Sequence, residues 1–96
     1  MDNFTLATWR SLDAALVLEV VSDYAKRDID YTPRRNIRST RWQVTAGGQD
    51  YEILCTGPKF LDTRAKLGGG GAVDLVMHLF RLDFKHAVSL LREKNL

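Results

Sequence analysis

Four consecutive glycines at positions 68–71 open directly into an apolar run, Ala72-Val73-Asp74-Leu75-Val76-Met77-His78-Leu79. Glycine takes φ > 0 without steric cost and lets a backbone pass close to another element, so this stretch limits the possible folds more than any other. Two uses compete: a sharp, closely packed entry into a helix, and a backbone cradle for a phosphate at that helix's N-terminus. No Gly-Lys-Ser/Thr follows, so this is not a P-loop, and no βαβ unit surrounds it, which sets aside a dinucleotide fingerprint. The packed entry is the reading adopted. Val73, Val76, Met77 and Phe80 recur at i, i+3, i+4 and i+7, which predicts a helix with these four on its core stripe. A second helix is predicted from about residue 82, with Phe84 in the core near Val76 or Leu79.

Upstream, residues 41–56 read as a β-hairpin. Trp42, Val44 and Ala46 alternate with Arg41, Gln43 and Thr45, and Tyr51, Ile53 and Cys55 alternate with Glu52, Leu54 and Thr56. Gly47-Gly48 between them suits a primed turn, which needs φ > 0. Gly57-Pro58 marks a second turn, and residues 59–62 make a third strand with Phe60 facing the core. Residues 63–71 are expected to be a loop. Leu16, Val17, Val20, Val21 and Tyr24 have helical spacing, so a helix is predicted from 12 to about 25. Ser11 is its expected cap, with Asp13 in its first turn. Residues 1–10 read as an arm or a short helix, with Phe4, Leu6 and Trp9 apolar enough to dock. Pro33 breaks any helix in 26–40, and a short strand is placed around Ile29-Asp30-Tyr31. The fold class is therefore α+β: one domain over residues 1–96, with an antiparallel sheet of three or four strands between an N-terminal helix and a C-terminal helical pair.

Composition narrows the chemistry. Cys55 is the one cysteine, and with His78 and His86 it makes three candidates for a tetrahedral site that needs four ligands. No cofactor is expected. Cys55 sits mid-strand and reads as a buried structural thiol. Asp74 and His78 lie one turn apart and suit a hydrogen bond, not a metal pair. The carboxylates form no recognisable catalytic dyad, so the chain is not expected to be an enzyme. The N-terminus lacks a basic signal-peptide region, and the apolar run 14–21 is short and carries Glu19, which points to a cytoplasmic protein with no membrane partner.

The basic segment speaks most directly to function. Arg34, Arg35, Arg38 and Arg41 follow one another with no acidic residue between them, Trp42 comes next, and Lys59, Arg64 and Lys66 lie in the neighbouring strand and loop. Guanidinium groups neutralise and fork onto phosphates, and an aromatic face stacks on unpaired bases. These eight residues are the candidate nucleic-acid site, although Trp42 also fits the apolar face of its strand.

Gly-Gly-x-Ala-Val-Asp-Leu-Val-Met, followed by Leu-x-Phe-x-x-Ala-Val-x-x-Leu, resembles the end of the CHC-type zinc-binding domain at the N-terminus of bacterial DNA primases. The likeness covers the last third of the chain, and the rest only in element order. In that family a strand ending in Cys-x-x-Cys runs into the glycines. The same spacing here falls on Thr63 and Lys66, which cannot bind zinc, and the upstream Cys-Pro-x-His is absent. The resemblance thus implies a metal-free relative, of the kind found in primase-like proteins of plasmids and other mobile elements. It further implies an accessory DNA-binding domain for single strands in a replication or mobilisation protein. The competing expectation is a protein–protein module that tethers a catalytic primase, helicase or relaxase.

Overall fold

A computed structural model describes residues 3–34 and 37–96. The elements in chain order are α1 (Asn3–Ser11), α2 (Ala14–Val21), β1 (Tyr24–Arg27), β2 (Thr40–Ala46), β3 (Gln49–Thr56), β4 (Lys59–Asp62), β5 (Leu67–Gly70), α3 (Ala72–Phe80) and α4 (Phe84–Glu93). The strands form one antiparallel meander in the order β1-β2-β3-β4-β5. The α+β class is as expected, but the sheet has five strands instead of three or four.

Alternation along the strands sorts the sheet into two faces. Trp42, Val44, Ala46, Tyr51, Ile53, Cys55 and Phe60 are buried on one of them. Helices α2 and α3 lie against that face, and α1 and α4 pack on α3. Trp9 of α1, Leu18 of α2, Leu75 and Leu79 of α3 and Leu91 of α4 join the same core at 1% exposure or less. Among the described residues, no helix lies over the opposite face. It carries Arg41, Gln43, Glu52, Leu54, Thr56, Lys59 and Leu61, all half-buried or exposed.

The predicted hairpin is present, with Trp42 opposite Ile53 and Val44 opposite Tyr51. Its turn residues Gly47 and Gly48 take φ of 57° and 78°. Four expectations are corrected. Helix α2 stops at Val21, where Ser22 turns extended and its N–H closes on the Leu18 carbonyl, and residues 24–27 become strand β1. Tyr24 is therefore an exposed strand residue, and 29–31 lie in a turn, not a strand. Ser11 ends α1 instead of capping α2; Asp13 holds the cap position, and the Ala14 N–H donates to the Gly57 carbonyl at 2.8 Å. The four glycines are not all loop, because residues 67–70 pair with β4.

The glycines act through close approach. A Cβ on Gly69 would sit 2.9 Å from the Phe60 ring, and one on Gly71, at φ 93°, would sit 3.3 Å from Arg10 Cα in α1. The helix that follows is rotated relative to the predicted stripe. Ala72, Leu75, Val76 and Leu79 are buried, while Val73, Met77 and Phe80 are only partly covered.

Phe84 is also a correction. It begins the α4 stripe of Ala87, Val88 and Leu91, yet it stands at the helix end, 49% exposed, in a shallow groove with Leu6, Val73 and Met77. A half-exposed ring contributes about 1 kcal/mol, against about 2–5 kcal/mol for a fully buried leucine. Urea denaturation should accordingly show Phe84→Ala close to the parent and Leu79→Ala strongly destabilised. A Phe84 variant as damaged as the Leu79 variant would contradict this placement.

Candidate nucleic-acid interface

The open sheet face folds into a groove of about 810 Å³ where Tyr31, Arg34 and Ser39 lie against β3 and β4. Tyr31, Leu54 and Leu61 supply its apolar surface, Ser39 and Thr56 add hydroxyls, and Arg34 and Lys59 stand at its rim. No carboxylate lines it among the described residues. The Ser39 and Thr56 hydroxyls lie 2.6 Å apart and so fix Ser39 to β3.

Asp28 and Arg41 hold Tyr31 in place. Arg41 donates through Nε at 2.9 Å and through Nη2 to the same oxygen, Asp28 Oδ2, and its guanidinium lies 5.0 Å from the centre of the Tyr31 ring. The Asp28 N–H donates in turn to the Arg41 carbonyl at 2.8 Å. The Arg41 side chain, and after it the Asp30 N–H, hold the Asp28 carboxyl below its usual pKa. A cation over one face of a tyrosine is a favourable arrangement that also stiffens the ring.

The eight sequence candidates separate. Arg34 and Lys59 meet at the groove, and Arg41 acts from beneath through Tyr31. Arg38 is exposed in the turn before β2. Arg64 and Lys66 are exposed in the β4–β5 turn, where Lys66 takes φ 57°, and Arg64 lines a different cleft with Asp62, His78 and Arg81. Trp42 is 8% exposed on the core face, with its Nε1 donating to Thr40 Oγ1 at 2.9 Å, so its ring is turned away from the arginines' side of the sheet. Arg35 lies outside the described residues. Tyr31, Leu54 and Leu61 were missed as site residues, although leucines at the outward positions of amphipathic strands were a visible signal.

A second polar cluster closes the far end of β4. Asp62 is 3% exposed. Its Oδ1 accepts the N–H groups of Arg64 (3.1 Å) and Ala65 (3.0 Å), and its Oδ2 lies 2.7 Å from His78 Nε2 on α3. The His78 ring is packed between Tyr51 and Phe60 at centroid distances of 5.7 and 5.9 Å. Burial pushes the Asp62 pKa up, but the Ala65 N–H, His78 and the Arg64 N–H outweigh it and the net shift is downward. His78 thus bonds to Asp62 rather than to Asp74, whose Oδ2 accepts instead from the Gly70 N–H at 3.4 Å. The buried Cys55 thiol is pushed up to about 12, first by burial and then by Asp13, which fits a structural thiol.

No family model matches the chain, and no solved structure matches it. It is 43% identical over 44 residues to a protein described as "65 kDa protein" from Zymomonas mobilis subsp. mobilis. The aligned stretch is 46% of this chain and 8% of that protein, so the chain spans a small part of the relative it matches.

A carboxylate with a lowered folded pKa contributes stability above its ordinary value, about 3.9, and loses it as pH falls below that value towards the folded pKa. The parent's melting temperature should therefore drop below about pH 4. In Asp62→Asn the drop should be shallower and the neutral-pH melting temperature lower. An equally steep acid dependence in the variant would remove Asp62 from this role. A strong chelator should leave the parent's melting temperature unchanged, since protein groups close this turn.

Proposed function

We propose that this chain is a non-catalytic accessory domain that binds single-stranded DNA on the open face of its sheet. The observation that carries the reading is the groove: a tyrosine held by Arg41, two outward leucines, and the rim cations Arg34 and Lys59. An unpaired base has a π-face for Tyr31 and apolar surface for Leu54 and Leu61, while Arg34 and Lys59 meet the phosphates on either side. A duplex keeps its bases stacked inside and gains only the phosphate contacts. The resemblance to the primase zinc-domain ending supports the same reading and suggests a primase-like replication or mobilisation protein as the setting.

The tethering module is the second reading. Phe4, 82% exposed, and Phe84 on the helical side favour it, because exposed aromatic surface suits a protein partner.

Fluorescence titration of single- and double-stranded oligonucleotides across a range of salt separates the two. Binding should be tighter to single strands and largely independent of sequence. Each phosphate neutralised contributes about −0.7 to the slope of log K against log salt, so Arg34→Ala with Lys59→Ala should flatten it by about 1.4. Tyr31→Leu should weaken single-strand binding by about 1–3 kcal/mol and leave the salt slope unchanged. Absence of binding at low salt would favour the tethering module.

A further inference from the structure

We propose that Tyr24 is a second base-stacking platform on the open sheet face, so that the site takes an extended single strand of at least three nucleotides. This deepens the DNA reading and rests on it. Tyr24 lies opposite Thr45 in the β1–β2 register, and Lys26 lies opposite Gln43. Gln43 and Thr45 alternate with the buried Trp42, Val44 and Ala46, so they belong to the open face, and residues paired across a ladder share a face. Tyr24 and Lys26 are therefore on the same side of the sheet as Leu54 and Lys59. Tyr24 is 52% exposed, and among the described residues its ring has no hydrogen-bond or ring partner. It borders a cleft of about 250 Å³ that Arg64 also lines.

Strand β2 gives the spacing of the two rings. Tyr31 lies against the Arg41 guanidinium at one end, and Tyr24 stands beside Thr45 at the other. Four residues of antiparallel strand separate those positions, roughly 14 Å. Neighbouring stacked bases are about 3.4 Å apart, so bases on these two rings have at least one nucleotide between them. Lys26 stands midway on β1, where an intervening phosphate passes. Carboxylates decide which way the strand runs. Asp28, at the Tyr31 end, is matched by Arg41. Asp50 and Glu52 stand on β3, where Asp50 Oδ1 accepts from the Thr45 hydroxyl at 2.7 Å. Glu52 accepts from the Thr63 hydroxyl at 2.9 Å and from Gln43 Nε2 at 3.4 Å. Their charge repels a phosphate from that half of β3, whereas β1 brings Lys26 and no carboxylate to the face. The path therefore leaves the groove at Tyr31 and follows the β1 edge to Tyr24.

Titration of the whole chain with oligothymidylates of about two, four and eight nucleotides tests this. Tyr24→Leu should weaken binding of the longest strand about tenfold with an unchanged salt slope, and Tyr24→Trp should keep the parent affinity. Lys26→Ala should flatten the slope of log K against log salt by about 0.7. From the dinucleotide to the tetranucleotide the parent should gain more affinity than Tyr24→Leu does. In Tyr24→Trp the new indole is exposed while Trp9 and Trp42 are buried, so its emission should be quenched by the bound strand. Circular dichroism checks the fold of each variant. An indole that stays unquenched with the strand bound overturns the proposal. So does a folded Tyr24→Leu variant with the parent's affinity and length dependence. If Tyr31→Leu weakens binding in either case, the groove stands and the second platform alone falls. A parent that binds no strand at low salt removes the DNA reading itself, and the platform with it.

Discussion

The Asp62 carboxylate holds together the part of the fold that has no side chains of its own to hold it. Strand β5 is mostly glycine and cannot lock its register through packing. Asp62 compensates by accepting two turn N–H groups on one oxygen and meeting His78 on the other, while its carbonyl accepts the Lys66 N–H at 2.8 Å. The turn, the last strand and helix α3 are thereby fixed to one point. A buried charge is costly to leave unpaired, and this one is matched by protein donors. The glycines can then do what side chains would prevent, lying against Phe60 and Arg10 and delivering α3 onto the sheet.

With the helices gathered on one face, the other face is met by the described residues between β1 and β2, Tyr31, Arg34 and Ser39 among them. The Asp28–Arg41 pair and the Ser39–Thr56 contact tie these residues down at two places. Between them Tyr31 is presented beside outward leucines, and the cations stand at the margin. Thus the same strands that build the core through Val44, Ile53 and Phe60 build the candidate binding surface through Arg41, Leu54 and Lys59.

Much of this was legible from the sequence, for identifiable reasons. Alternation is unambiguous where one face is apolar, so β2, β3 and the inward Phe60 followed directly, and so did the hairpin glycines. Where residues are apolar all round, the face was not readable: α3 has Val73, Leu75, Val76, Met77 and Leu79 to choose from, and packing chose Leu75, Val76 and Leu79. The end of α2 was hidden because Val20, Val21 and Tyr24 suit either helix or strand. Strand β5 was hidden because glycine is a poor strand former by propensity, and pairing with β4 overrides that. Phe84 kept its stripe but lost its cover, since no described side chain closes over the start of α4. At the groove, the clustering of arginines in sequence did not predict which of them would converge. Arg41 is engaged by Asp28, Trp42 is turned into the core, and Tyr31 is brought in from between β1 and β2.

Nuclear magnetic resonance of the isotopically labelled chain, titrated with a short single-stranded oligonucleotide, tests the central claim most directly. The expected result is a set of shifted signals at Tyr31, Arg34, Leu54, Lys59 and Leu61, with the core signals of Val44, Ile53 and Leu79 unmoved. Shifts confined to the helical face, around Leu6, Val73 and Phe84, or no shifts at low salt, would contradict it.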